Sequence, residues 1–259
     1  MSKLTYMPDN RAKRFLKTAG VWDGLRRIAF STSPLWGSIL QPFAIQRYFA
    51  EHPVMRKLQL GCQLNLLPDW LNSDLIPFPL GVVHLDAAKR FPFPDRTFDY
   101  VFSEHLIEHL SHKSGCSMLG ECFRVLKPGG KLRIATPNLR ALVALLAEDI
   151  SDTQRQYILS TNAWGLGLDS ERLEPHHPVL TFNFMMHLGG EHRFIWDFVT
   201  LRAVLAETGF IDILETEPGV SGDENLQNVE FHWRFSGHDF NRLETLVVEA
   251  QRPGVDREA

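Results

Sequence analysis

Four short apolar runs in the first half of this 259-residue chain each stop at a residue suited to a polar ligand, and that repetition constrains the fold most. Lys57–Cys62 ends in Gly61-Cys62, Trp70–Asp74 and Gly81–Asp86 end in aspartate, and Phe98–Ser103 runs into Glu104-His105. Apolar runs of this length read as strands buried on both faces. A fifth run, Lys131–Thr136, follows a predicted helix from Lys113 to Leu126 whose Leu119, Phe123 and Leu126 share one face. That helix is expected to end in Lys127-Pro-Gly-Gly130, because proline stops a helix and glycine turns the chain. Strands alternating with helices predict a doubly wound, mostly parallel α/β sheet.

Asn138 caps a further predicted helix with apolar residues from Leu142 to Leu146, and Asp197 caps another through Leu201, Val204 and Leu205 that stops at Gly209. Two last strands, about 211–217 and 244–250, have no obvious helix between them and suggest a hairpin at one edge of a seven-stranded sheet. Between the capped helices, residues 150–195 lose periodicity and are rich in Trp, Phe, Met, His and Gly, so they read as a lid or a small inserted subdomain. Trp164, Phe182, Phe184, Met185, Met186 and Trp196 either line a substrate pocket or form that subdomain's own core. Residues 1–55 form a basic arm, with seven Lys and Arg against Asp9 and Asp23 in its first thirty positions and apolar residues at near-helical spacing. It reads as a helical arm packed on the domain at 56–259, with a membrane-surface contact as the other use of its charge.

Composition narrows the function. A formal net charge of −4 gives no general attraction to nucleic acid. Three cysteines without a CxxC pair suit a reducing cytoplasm better than a disulfide framework. No apolar run approaches the roughly 20 residues of a membrane span, and the N-terminus lacks a secretion-signal pattern.

Ligands of open α/β sheets bind beyond the carboxyl ends of the strands. Here those ends carry Gly61, Cys62, Asp74, Asp86, Ser103, Glu104 and His105. Glycine permits close backbone approach, one carboxylate can accept from ribose hydroxyls, and the next from an adenine amino group. The stretch 57–138 resembles the S-adenosylmethionine-dependent methyltransferases of the large bacterial group that includes the quinone methylases, and within it a sub-group with a shortened first helix. The residues that carry the resemblance are Leu60-Gly-Cys62, Asn65, Trp70-Leu-Asn-Ser-Asp74, Leu85-Asp86, Phe91-Pro-Phe-Pro-Asp95, Phe98-Asp99, Ser103–His109 and Arg124–Gly130. Gly190–Asp197 and Ala206–Phe210 extend it. It implies a class I methyltransferase fold with S-adenosylmethionine held by Gly61, Cys62, Gln63, Asn65, Asp74, Asp86, Ala87, Ser103 and Glu104. The methyl acceptor would be a small molecule, saccharide or lipid, with His105, His109, Glu104 or His192 as a base; the oligomeric state stays open.

Gln63 departs from the family's Gly-Cys-Gly, where the second glycine gives the cofactor room. Together with the basic arm, it keeps open a protein that has the fold but serves as a binding or scaffold module. His105-Leu-Ile-Glu-His109 also matches the inverted zinc-peptidase pattern, with two His at i and i+4 on a helix and a third ligand from Glu171 or Glu174. The context before Arg124–Gly130 favours the methyltransferase, which needs no metal. The lid histidines His176, His177, His187 and His192 fit no tight ligand spacing and read as pocket or surface residues, and Cys62 as a small buried apolar residue.

Overall fold

The structure, a computed structural model, describes residues 41–63, 65–77, 81–166 and 177–254. The apolar runs become β1 (Lys57–Leu60), β2 (Leu71–Asp74), β3 (Val83–His84), β4 (Phe98–Glu104) and β5 (Leu126–Pro137), followed by β6 (Ile211–Thr216) and β7 (Thr245–Gln251). They form one sheet in the order β3-β2-β1-β4-β5-β7-β6, parallel from β3 to β5, with β7 antiparallel to both its neighbours. This is the mostly parallel seven-stranded sheet of the class I methyltransferase fold. The last two strands pair antiparallel at one edge, as expected, but a long connection rather than a tight turn joins them. β7 inserts between β5 and β6, and 28 residues connect β6 to β7, carrying two short helices at Trp233–Ser236 and His238–Glu244.

The helix stop at Lys127–Gly130 falls where the sequence places it, with Gly129 at a left-handed φ of +79. The helix over His112–Val125 is capped by Ser111 and stops at Leu126, and the Lys-Pro-Gly-Gly segment already belongs to β5. The Gly129 N–H donates to Arg252 O, and the Arg252 N–H donates to Gly130 O, so the sheet absorbs the turn. A Cβ at Gly130 would lie 2.9 Å from Lys127 O and 3.1 Å from Asp99 O, which explains the glycine better than turn formation does.

One face of the sheet is dry. Leu58, Leu60, Val101, Leu132, Ile134 and Val248 pack against Met118, Leu119 and Cys122 of the His112–Val125 helix and Leu201 and Leu205 of the Phe198–Thr208 helix. The helix over residues 41–51 adds Tyr48, whose hydroxyl donates to Lys57 O (2.9 Å). Residues 1–40 of the 1–55 arm lie outside the described residues.

The other face is covered by a strap at residues 217–232. Leu226 and Val229 pack on Trp70 and Phe102, and Tyr100 joins their edge. Beside this small cluster, the fully buried Arg133 pairs with Glu230 (2.5 Å) and with Glu249, and donates to the carbonyls of Val220 and Glu217. Lys131 reaches Asp223 at 2.8 Å. Among the described residues, the connections β1–β2, β2–β3 and β3–β4 carry no α-helix, so the strap takes the place of helices there.

The aperiodic stretch 150–195 contains helices Asp152–Leu166 and Pro178–His187 and a 3-10 turn at Leu188–Gly190, with 167–176 outside the described residues. Tyr157, Ile158, Met185 and Ile195 bury with Leu142 and Leu145, while Phe182, Phe184 and Met186 pack against them. These residues form a core of their own, but Trp196 belongs to the main core and Trp164 is exposed. No helix among the described residues is long and apolar enough to cross a membrane.

Candidate functional site

The parallel register places the ends of β1, β2, β3 and β4 side by side: Leu60 pairs with Ser73 and with Ser103, and Ser73 with Val83. Each following turn is held by side chains or backbone. Gly61 has φ +67, and a Cβ there would meet the Leu106 side chain at 3.2 Å, so a glycine is required. Asp74 Oδ2 accepts from Gln63 N–H and Oδ1 from Ile76 N–H, both at 2.9 Å. Burial raises the Asp74 pKa, opposed by those N–H donors and by His84. Asp86 accepts from Ala88 N–H (3.0 Å) and pairs with Lys89 (3.1 Å). Ala87 is buried beside it. The buried Cys62, its thiol pKa pushed up by burial, fits the apolar reading of that residue.

Gln63 is exposed and sits at φ +46, a left-handed conformation that costs a residue with a Cβ energy. Its side chain therefore stands at the rim of the turn rather than in the sheet. Asn65 lies further from the strand ends, with its side-chain amide donating to Val229 O of the strap (3.3 Å).

The end of β4 is built differently. Ser103 is fully buried, and its Oγ has no hydrogen-bond partner among the described residues. Glu104 accepts from the N–H groups of Phe231 and His232 at 2.8–2.9 Å and thereby anchors the strap. Burial pushes its pKa up to about 7 against those donors. His105 has φ +46, and its backbone N–H donates to Ala135 O (2.9 Å). Its Nδ1 donates to Glu108 Oε1 at 3.0 Å, while Nε2 is buried without a partner among the described residues. Burial, helped by the neighbouring His232, lowers the His105 pKa to about 4, so the ring is neutral.

Glu108 is fully buried and also accepts from the Thr136 hydroxyl (3.0 Å). Burial alone would raise its pKa, but the bond from His105 and the nearby His109 and His192 hold it down at about 2. The His105 ring lies 4.0 Å from the His232 ring. His232 reaches Glu244 at 2.9 Å, and Glu244 accepts from the Tyr157 hydroxyl at 2.6 Å. Polar groups in contact thus run from the end of β4 to the Asp152–Leu166 helix.

The zinc-peptidase geometry is corrected. His105 and His109 do not share a helical face, because the left-handed His105 is followed only by a single 3-10 turn at Ile107–His109. His105 turns to His232, and His109 turns to His192, with ring centroids 5.0 Å apart. Glu171 and Glu174 lie outside the described residues.

Reasoning from sequence brought Gly61, Asp74, Asp86 and His105 to one edge but missed Glu108 as the partner of His105, along with Thr136, His232, Glu244 and Tyr157. The i, i+3 spacing of His105 and Glu108 was visible in the sequence. Tyr157 and Glu244 are 87 residues apart, and no local pattern announces such a pair.

Residues 68–134 match the model of a methyltransferase domain family. A "Probable S-adenosylmethionine-dependent methyltransferase" of Mycolicibacterium smegmatis is 45% identical over 61 residues, which is 24% of this chain and 23% of that protein. The chain thus matches about a quarter of that relative's length. Among solved structures, an S-adenosylmethionine-dependent methyltransferase from Archaeoglobus fulgidus is 18% identical with a TM-score of 0.46, covering 85% of this chain and 94% of that one. One from Mesorhizobium loti is 16% identical with a TM-score of 0.46, covering 76% and 91%. The cofactor of this class is S-adenosylmethionine, and the Cβ-free turn at Gly61 with the two aspartates fits it. Over residues 68–134 the chain is thus similar to a methyltransferase domain.

Proposed function

We propose that this chain methylates a small-molecule, saccharide or lipid acceptor with S-adenosylmethionine as donor. The observation that carries the reading is the row of turns at Gly61, Asp74 and Asp86, aligned by the register of β1, β2 and β3 and followed at β4 by a buried histidine–glutamate pair. Asp74 and Asp86 would hold the nucleoside, and the Gly61–Gln63 turn would flank the methionine end. When bound, the cofactor supplies an electrophilic methyl group on a sulfonium. The protein's contribution is to position the acceptor and exclude water.

A hydroxyl acceptor must also lose a proton. Glu108 fixes His105 with its proton on Nδ1, so the lone pair is on Nε2, and that atom is the proton acceptor in this reading. His109 and His192 also donate through Nδ1, each to a main-chain carbonyl, but their rings pack on each other, with centroids 5.0 Å apart, away from His105.

Calorimetry with S-adenosylmethionine and S-adenosylhomocysteine tests the cofactor. Binding is expected to be lost in Asp86→Ala and retained in Asp95→Ala, whose carboxylate pairs with Arg124 at the surface. No binding of either ligand to folded protein would sink the methyltransferase reading and favour a binding or scaffold module. His105→Ala should lower kcat by about 10²–10⁴-fold with cofactor affinity unchanged.

A further inference from the structure

We infer that Glu108, His109 and His192 form a binding site for a divalent transition-metal ion that ties the lid to the edge of the sheet. One ligand atom from each of the three lies within 4.8 Å of the other two. Glu108 and His192 are buried and His109 is half-buried. The residues come from two segments, the 3-10 turn after β4 and the stretch that leaves the lid, so an ion here would join parts of the chain that no strand pairing connects.

The surroundings are those of a ligand set. His109 Nδ1 donates to Glu191 O at 3.1 Å, and His192 Nδ1 donates to Met185 O at 2.5 Å. A carbonyl only accepts, so each Nδ1 carries a proton and the ligand lone pair of each ring is on Nε2. Metal-binding histidines are oriented in this way, by donating their other ring N–H to a carbonyl or carboxylate. Glu108 accepts from His105 and from Thr136, one bond on each oxygen, and a carboxylate oxygen has lone-pair capacity for a further interaction. Its main-chain carbonyl accepts from Arg193 and Phe194 N–H, which fixes the two segments against each other around the cluster.

Two imidazole nitrogens and one carboxylate are the donors of zinc and ferrous sites. Metal–nitrogen distances of about 2.0–2.1 Å require ligand atoms about 3.3 Å apart in a tetrahedron, so the side chains must close by about 1.5 Å at most. This site differs from the inverted peptidase pattern: His105 is outside it, and His192 comes from the segment after the Leu188–Gly190 turn. It also stands independently of the methyl-transfer reading, because its readout is metal content.

The test uses the full chain, stripped with a chelator and titrated with Zn²⁺ and, separately, Co²⁺. Stoichiometric binding is expected, with the visible bands of low-symmetry cobalt and a raised Tm. His109→Ala and His192→Ala should each weaken binding by more than about tenfold. His187→Ala, at an exposed lid position, should leave it unchanged. If either alanine variant does not fold, His109→Gln and His192→Gln replace it. Folded protein that takes up neither ion overturns the proposal, as does binding that persists in the His109/His192 double variant. In that outcome the cluster is held by a proton shared between imidazole and carboxylate.

Discussion

The two faces of the sheet solve the same problem with different chemistry. The helix-covered face buries Leu58, Leu60, Val101, Leu132 and Ile134 against other apolar side chains. The strap-covered face buries a charged guanidinium and satisfies it with two carboxylates and two carbonyls. Apolar burial tolerates imperfect neighbours, since its gain scales with area. A buried charge does not, because any partner left unpaired keeps its full desolvation cost. The strap face is therefore the more easily broken, and it is also the face that carries Glu104 and the approach to His232.

The largest expected effect follows from that contrast. Arg133→Met would leave the buried Glu230 and the half-buried Glu249 without their cation and should cost about 3–5 kcal/mol in chemical denaturation. Adding Glu230→Gln and Glu249→Gln should restore a large part of the loss. The neighbouring Leu132→Ala, on the other face of the same strand, should cost about 2–5 kcal/mol through the cavity it leaves, with no rescue available. If Arg133→Met cost less than about 1 kcal/mol, the two faces would not differ in the way argued here.

The same contrast explains what the sequence discloses. The strands were legible because they are short apolar runs broken by Gly, Pro and Asp. Asn138 and Asp197 were legible because a cap acts on the N–H groups two or three residues ahead: Asn138 accepts from Arg140 and Ala141, and Asp197 from Thr200. The strap was not legible. Arg133 and Glu230 are 97 residues apart, and the strap between β6 and β7 buries only Leu226 and Val229 as apolar anchors, too few to mark a period. The lid helices were hidden for a related reason. Their apolar residues face in several directions, with Tyr157 and Met185 buried while Trp164 and Val179 stay exposed, so no single stripe marks them. Glu108 was hidden in plain view, since its meaning depends on His105 turning left-handed at the strand end.

Glu104 offers a smaller, pH-dependent way to sharpen the comparison. Its pKa rises from an ordinary 4.5 to about 7 in the fold because burial outweighs the two N–H donors, Phe231 and His232. A raised folded-state pKa means that the folded protein holds the proton more tightly than the unfolded chain does. The associated stability is fully present below pH 4.5 and is lost as the pH rises through about 7. Wild-type stability measured relative to Glu104→Gln should therefore fall by on the order of 2 kcal/mol between those limits. A flat difference would show that the strap's N–H donors, rather than burial, govern this carboxylate.

The smallest effect belongs to Gln63. At φ +46 a glycine avoids a left-handed strain of about 1–2 kcal/mol. It also gains freedom in the unfolded chain, which offsets about 0.5–1 kcal/mol of that. Gln63→Gly should then change stability by less than about 1 kcal/mol, within the scatter of ordinary surface substitutions. Its consequence for binding is separable from this small change. The N–H of residue 63 donates to Asp74 through the backbone, so the substitution leaves that bond in place and removes only the side chain at the rim of the turn. If the amide crowds the cofactor, calorimetry should show tighter S-adenosylmethionine binding in Gln63→Gly at nearly constant Tm. If the amide instead hydrogen-bonds the cofactor, affinity should drop. Either shift locates the cofactor against this turn, whereas an unchanged affinity would mean that the Gln63 side chain does not reach it.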